Sequence, residues 1–497
     1  MKNIKTWHIL TIILGTIFIS LGIFHTTIWF DESYSIAISN NHNFAEIWQI
    51  GGHDVHPVFY YWLLRILSLI FGNNILVYRL FSALALCALS ILGYTHIRKD
   101  FGEKVGLLFS FFALFLPVCV VYAGEIRMYI WGMVFVTLMF IYGSRIHKGQ
   151  TSIKNWVIFA LFSLISAYTH YYGLMAAGIA NGLLFLDLVV KATKQKQWTK
   201  ELTCFMVQAA VELALYIPWI LSLLLQISQV SKGFWIQFEF PKTVIEMFIF
   251  QFTGNLDTIY IDNWLGGIFG LIVFITSISL MIIKRKEQIE PAIKLFLVYA
   301  GVIAGASIVS IVIKRPIIYA RYFLIITGLF IFFISYILGK LGNKKLNIAI
   351  CVLTLLAAIM VNINIITINY DPSNKEPIEY VKENIQEGDI FVWGNEGSGF
   401  IISANFPEYT QYFYDAEHWN VDEAYKAYGP GMQTVHDLDF LENYTGRIWF
   451  VNAGTNSIVE EAMNKYDDIK IIDQKGFSTK YQSYQYTFSI TEKGEIK

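Results

Sequence analysis

Apolar residues in this chain gather into runs of about 20, the length an α-helix needs to cross the hydrocarbon core of a bilayer. Eleven such runs fall at residues 7–29, 75–97, 105–123, 126–144, 155–171, 172–190, 203–226, 263–283, 292–313, 319–339 and 346–367. In lipid every backbone polar group must be satisfied within the protein, so runs of this kind become helices. Composition agrees: 55% of the residues are hydrophobic and 15% charged, where a soluble chain carries about a quarter charged. The expectation is a polytopic α-helical membrane protein of about eleven spans. The first run is followed by no clear small-x-small cleavage site and reads as a retained anchor.

A twelfth stretch, "PVFYYWLLRILSLIF" (57–71), is 15 residues long with Arg65 in its middle. If it does not span, the loops 1–6, 98–104, 145–154, 191–200, 284–294 and 340–345 share one side and hold 19 Lys+Arg. The other side and its flanks then hold eight. The positive-inside rule favours that arrangement. Segment 57–71 is therefore expected as an amphipathic helix in the outer interface, with Tyr60, Tyr61 and Trp62 at headgroup level. The N-terminus is expected in the cytoplasm of a plasma-membrane protein, and the end of the chain outside it.

Net charge breaks sharply near Tyr370-Asp371-Pro372. Residues 371–497 carry 22 Asp+Glu against 10 Lys+Arg, and residues 1–370 carry 16 against 27. Two domains are expected: a transmembrane domain 1–370, whose first outer loop is 31–74, and an acidic extracytoplasmic domain 371–497. The second alternates helical and strand patterns. Residues 375–385 and 457–466 read as helices, and 388–394, 447–453, "IKIIDQ" and "YQYTFSI" as strands of a small α/β sheet. Its tyrosines Tyr409, Tyr412, Tyr414, Tyr425 and Tyr428 suit either a carbohydrate-facing surface or, by the ordinary preference of aromatics, packing. Cys87, Cys119, Cys204 and Cys351 lie in or beside apolar runs and suggest neither disulfides nor a metal motif.

With this topology the unusual polar residues fall on the outer face. Asp31 and Glu32 ("WFDESYSIAI") follow the first run. His53, Asp54 and His56 ("GGHDVHPVFYYW") precede the interfacial helix. Glu125 and Arg127 ("VYAGEIRMY"), His170 ("AYTHYYG"), and Arg315, Tyr319, Arg321 and Tyr322 ("KRPIIYARYF") mark later outer turns. Ionisable groups at membrane depth are expensive and point to function by default. Each also has a structural role open to it: Asp31 and Asp54 as helix caps, Glu125 with Arg127 as a cap and pair, His170 as an interfacial ring. Those roles leave the clustering unexplained. A carboxylate at the membrane boundary can take a proton from an incoming hydroxyl. Arginines and a histidine beside it can hold a phosphate and its growing charge.

The acid pair, "HPVFYYWLLR", "EIRMY", "THYY" and "RY" in this order resemble glycosyltransferase family 39, in the GT-C superfamily of protein O-mannosyltransferases and aminoarabinose lipid A transferases. The resemblance covers the whole chain in layout and residues 29–130 in motif; Val58 stands where the family's usual "HPPLYY" has its second proline. It implies a GT-C fold, a polyprenyl-phosphate sugar donor, transfer outside the membrane and inversion at the anomeric carbon. It also implies that Asp31 is the catalytic acidic position, Glu32 its partner, and that His56, Glu125, Arg127 and, more loosely, Arg321 lie near the donor phosphate or pocket. His170 and Tyr322 join them as candidate substrate-binding residues.

On this reading Asp31 deprotonates an acceptor hydroxyl and polyprenyl phosphate leaves, held by Arg127 with His56 or Arg321. The competing class is a transporter or flippase of lipid-linked sugars, against which stand the absence of repeated halves and the gathering of charges at one face. No cofactor is required, although His53, Asp54, His56, Glu125 and His170 are ligand types for a divalent cation. Expected partners are the lipid-linked donor, membrane lipid, and a glycan, protein, cell-wall polymer or lipid acceptor; nucleic acid is not among them.

Overall fold

The computed structural model describes residues 2–232, 236–239, 242–254, 261–284, 289–394, 396–416, 418, 422–453 and 457–494. Residues 285–288 of the basic loop 284–294 lie outside the described residues. The chain forms two compact units. The first comprises Met1–Ile23, Val55–Tyr60 and Arg79–Ile363, and the second Phe24–Asp54, Tyr61–Tyr78 and Asn364–Lys497. The second unit thus takes in most of the first outer loop together with the acidic domain.

Among the described residues, eight helices are long and apolar enough to cross a membrane. Ile4–Ser20, Phe59–Phe71 and Ile153–Thr169 are apolar but shorter. The run 7–29 is helical only as far as Ser20, and residues 23–29 are non-helical. The run 105–123 divides into helices Glu103–Phe115 and Pro117–Val121. Leu116 between them is extended, at φ −66° and ψ 128°, as a residue preceding proline prefers to be. Segment 57–71 forms the helix Phe59–Phe71, 13 residues long. A helix Lys242–Thr253 has no counterpart in the sequence reading.

In the first unit, Tyr129–His147 and Ala320–Leu341 are central, with 83% and 94% of their apolar windows buried. Lys200–Ser231 is peripheral, at 17%. Small residues allow the two central helices to approach closely. A Cβ on Gly132 would collide with Ile325, and one on Gly328 with Thr137 and Met133. On the peripheral helices Leu221, Ile283 and Ile311 are 77%, 76% and 76% exposed. Apolar side chains presented so fully fit contact with lipid tails rather than water.

The second unit contains a six-stranded sheet of β1 (Ile390–Trp393), β2 (Thr410–Tyr414), β3 (Met432–Val435), β4 (Gly446–Asn452), β5 (Ile469–Ser478) and β6 (Gln485–Lys493). Their order is β3-β2-β1-β4-β6-β5. The first four positions pair in parallel, and β6 pairs antiparallel with both β4 and β5. All four residues of β1, "IFVW", are buried, the continuous apolar run expected of a parallel strand covered on both faces. One core gathers Ile390, Val392, Ile448 and Phe450 with Ile458, Val459 and Ala462 of helix Ser457–Lys465. The sequence reading found β1, β4, β5 and β6 but missed β2 and β3. The tyrosines pack: Tyr425 and Tyr428 are buried, the Tyr412 ring stacks on Phe440 with centroids 4.1 Å apart, and the Tyr414 hydroxyl donates to Glu461.

Candidate active site

In the first unit, the turn between Tyr122 and Tyr129 carries Glu125 and Arg127. It closes on itself through Glu125 N–H to Tyr122 O (3.3 Å) and Arg127 N–H to Glu125 O (2.8 Å). Helix Ile75–Leu92 secures it from the side. Arg79 Nη1 donates to Gly124 O at 2.8 Å, and Ser82 Oγ to Glu125 O at 2.6 Å. Arg79 is only 1% exposed. Sequence reasoning counted it as one more outer-flank charge, and the signal that would have singled it out is a cation inside an apolar helix.

Arg127 is buried, and its Nη2 lies 3.4 Å from His56 Nδ1. The rings of His56 and His170 lie 5.4 Å apart. Tyr322 packs edge-on against both, at 6.0 and 5.2 Å, and lies 6.5 Å from Tyr129. The Arg321 guanidinium lies over the rings of Tyr319 and Tyr129, at 5.4 and 5.8 Å. Tyr172 fastens the group by donating its hydroxyl to Ile317 O at 2.9 Å. The buried Arg127, His56, His170 and Tyr322, with the half-buried Arg321, thus form one aromatic and cationic cluster drawn from four stretches of sequence. Glu125 is half-buried in the turn beside it. Guanidinium groups only donate hydrogen bonds, and a cluster rich in donors suits an anion bearing several oxygens.

The acid pair belongs to the second unit, in the first turn of helix Phe30–Asn41, where acids interact favourably with the helix dipole. Glu32 is fully buried. Its Oε2 accepts from the backbone N–H of Trp29 and from the Tyr481 hydroxyl, each at 3.3 Å. Asp31 is half-buried. The helix is held within its unit by Ser33 Oγ against the Tyr428 hydroxyl (2.9 Å), and by Phe30 N–H donating to the Tyr484 hydroxyl (3.2 Å). Asp54 accepts from the Tyr61 hydroxyl at 3.1 Å, and His53 is half-buried. Among the described residues no group of three or more His, Cys, Asp or Glu side chains is arranged to hold a metal ion.

Residues 55–222 match the family model of dolichyl-phosphate-mannose-protein mannosyltransferase. No curated protein matches the chain by sequence. Among solved structures, ArnT from Cupriavidus metallidurans bound to undecaprenyl phosphate superposes with a TM-score of 0.62 at 11% identity, over 98% of each chain. Its apo state gives 0.59 at 11% identity, over 97% of this chain and 98% of that one. The arabinofuranosyltransferase AftD from Mycobacteria gives 0.51 at 12% identity, over 99% of this chain and 40% of that one. The chain thus shares the fold of these membrane transferases, and its segment 55–222 is similar to a mannosyltransferase family. The matched segment agrees with the resemblance of its motifs to glycosyltransferase family 39.

Proposed function

We propose that this enzyme transfers a sugar from a polyprenyl-phosphate donor to an acceptor hydroxyl on the extracytoplasmic side of the plasma membrane, inverting the anomeric centre. The N-terminus is then cytoplasmic, and Asp31 is the general base. The observation that carries the reading is the buried cluster around Arg127, His56 and Tyr322, whose chemistry suits a phosphate. Further support comes from a relative of the same fold bound to undecaprenyl phosphate. Asp31 accepts the hydroxyl proton as the acceptor oxygen bonds to the anomeric carbon and the carbon–oxygen bond to the phosphate breaks. Polyprenyl phosphate departs with the bonding pair, its charge met by Arg127, with His56 and Arg321 in support. Phosphate is a competent leaving group, so one base suffices, unlike the paired carboxylates of glycoside hydrolases.

The test is sugar transfer from a radiolabelled polyprenyl-phosphate sugar in proteoliposomes. Asp31→Asn is expected to lower turnover by about 10²–10⁴-fold, the usual weight of a general base, with expression and folding intact. Near-normal turnover removes Asp31 from the role. Movement of intact lipid without chemical turnover in the wild type replaces the transferase with a flippase.

A further inference from the structure

His170 stands immediately before helix Tyr171–Gln195, with extended backbone at φ −163° and ψ 147°. Its Nδ1 accepts the backbone N–H of Tyr172 at 3.1 Å, so the ring serves as the helix cap. A ring nitrogen that accepts must carry its lone pair, which leaves the proton of the neutral imidazole on Nε2. A proton added at Nδ1 would face a donor and break the cap. The same reasoning applies to His56, because the Arg127 guanidinium 3.4 Å from its Nδ1 can only donate. Two neutral Nε2–H tautomers therefore meet in one cluster.

His170 is 3% exposed, and its Nε2 has no hydrogen-bond partner among the described residues. It is enclosed by the rings of His56, Tyr129, Tyr172 and Tyr322 at 5.4, 6.0, 5.5 and 5.2 Å. A buried donor without an acceptor is destabilising, and such groups persist where a ligand satisfies them.

We propose that His170 is a phosphate-binding residue whose neutral Nε2–H donates to an oxygen of the anion gathered by Arg127. This rests on the phosphate-site reading above and adds to it a specific donor in a fixed tautomer. The bond strengthens as charge builds on the phosphate during departure. Because the ring keeps its proton on Nε2, it steadies the leaving group without transferring a proton to it.

Two substitutions separate the donor from the cap. His170→Asn keeps a cap acceptor in the place of Nδ1, asparagine being a favoured cap residue, and removes the Nε2 donor. His170→Gln keeps an N–H near Nε2 and weakens the cap. Binding of a polyprenyl phosphate, of the uncharged polyprenol and of inorganic phosphate is measured on the full-length protein in lipid nanodiscs, with Arg127→Ala as reference. The expected result is polyprenyl-phosphate affinity about ten-fold weaker in His170→Asn, the scale of one charge-assisted bond. His170→Gln should bind close to wild type with a lower melting temperature.

Wild-type affinity in His170→Asn, or equal loss in both variants, overturns the proposal. Loss in Arg127→Ala alone overturns it while leaving the phosphate site standing. No effect from either residue overturns both. Sensitivity of inorganic phosphate but not of the lipid keeps His170 as the donor and reassigns the ligand to free phosphate.

Discussion

Asp31 and Glu32 share one helical turn, yet their carboxylates have different surroundings. Glu32 is buried and receives hydrogen bonds from its own helix cap and from Tyr481. Asp31 is half-buried. The difference fits support for Glu32 and chemistry for Asp31. Glu32→Gln preserves a carbonyl acceptor for both bonds. It should leave a rate within about ten-fold of wild type, the loss expected from one weakened hydrogen bond. The same radiolabelled transfer assay checks this, and a variant as inactive as Asp31→Asn would reverse the two roles. The position of the acid pair after an apolar run was legible in the sequence. Which acid is engaged was not, because Tyr481 lies 449 residues away.

Two elements carry predictions of their own. The close crossing of the central helices requires Gly328, where a side chain would strike Thr137 and Met133. Gly328→Leu should cost about 1–3 kcal/mol through overpacking, seen as a lower melting temperature in detergent; an unchanged melting temperature would show that the helices part freely. In the sheet unit, His436 Nδ1 donates to the Asp415 carbonyl at 2.9 Å, and its ring stacks on His418 with centroids 4.3 Å apart. That backbone bond first, then the carboxylates of Asp422 and Asp415, raises the His436 pKa above its ordinary value. A pKa raised on folding contributes stability that is full below the unfolded pKa and fades as pH rises through the folded one. The stability lost in His436→Gln should therefore be larger at about pH 6 than at about pH 8. Thermal unfolding of the full chain at both pH values decides it, and a loss independent of pH would exclude the charged form.

At the scale of the whole molecule, the second unit is assembled from distant parts of the sequence. Helix Phe30–Asn41, 12 residues long, buries Ser33 and Tyr34, and its partners include Tyr428 and Tyr484. Isolated helices of this length are marginal in water. A chain ending at Ile363 should therefore insert into membranes but lack transferase activity, and amides 30–41 should exchange rapidly with solvent. Hydrogen exchange in nanodiscs measures this directly. Slow exchange there would mean that the helix stands without the acidic domain.

Membrane class, the charge break near residue 370 and the identity of the chemically unusual residues were determined by the sequence alone. Hydropathy runs, charge imbalance and motif order are local properties that survive without coordinates. The parts it left unread depend on non-local contact. Strands β2 and β3 are short, with exposed or half-buried residues along much of their length, and they pair only with partners distant in sequence. Helix Lys242–Thr253 is too short to register as a span. Only the tertiary structure could bring His56, Arg127, His170 and Tyr322 from separate turns into one cluster and join the acid-pair helix to Tyr428 and Tyr481. The assignment of the His170 proton to Nε2 likewise needs the tertiary structure, since a tautomer is set by the hydrogen bond its other nitrogen accepts.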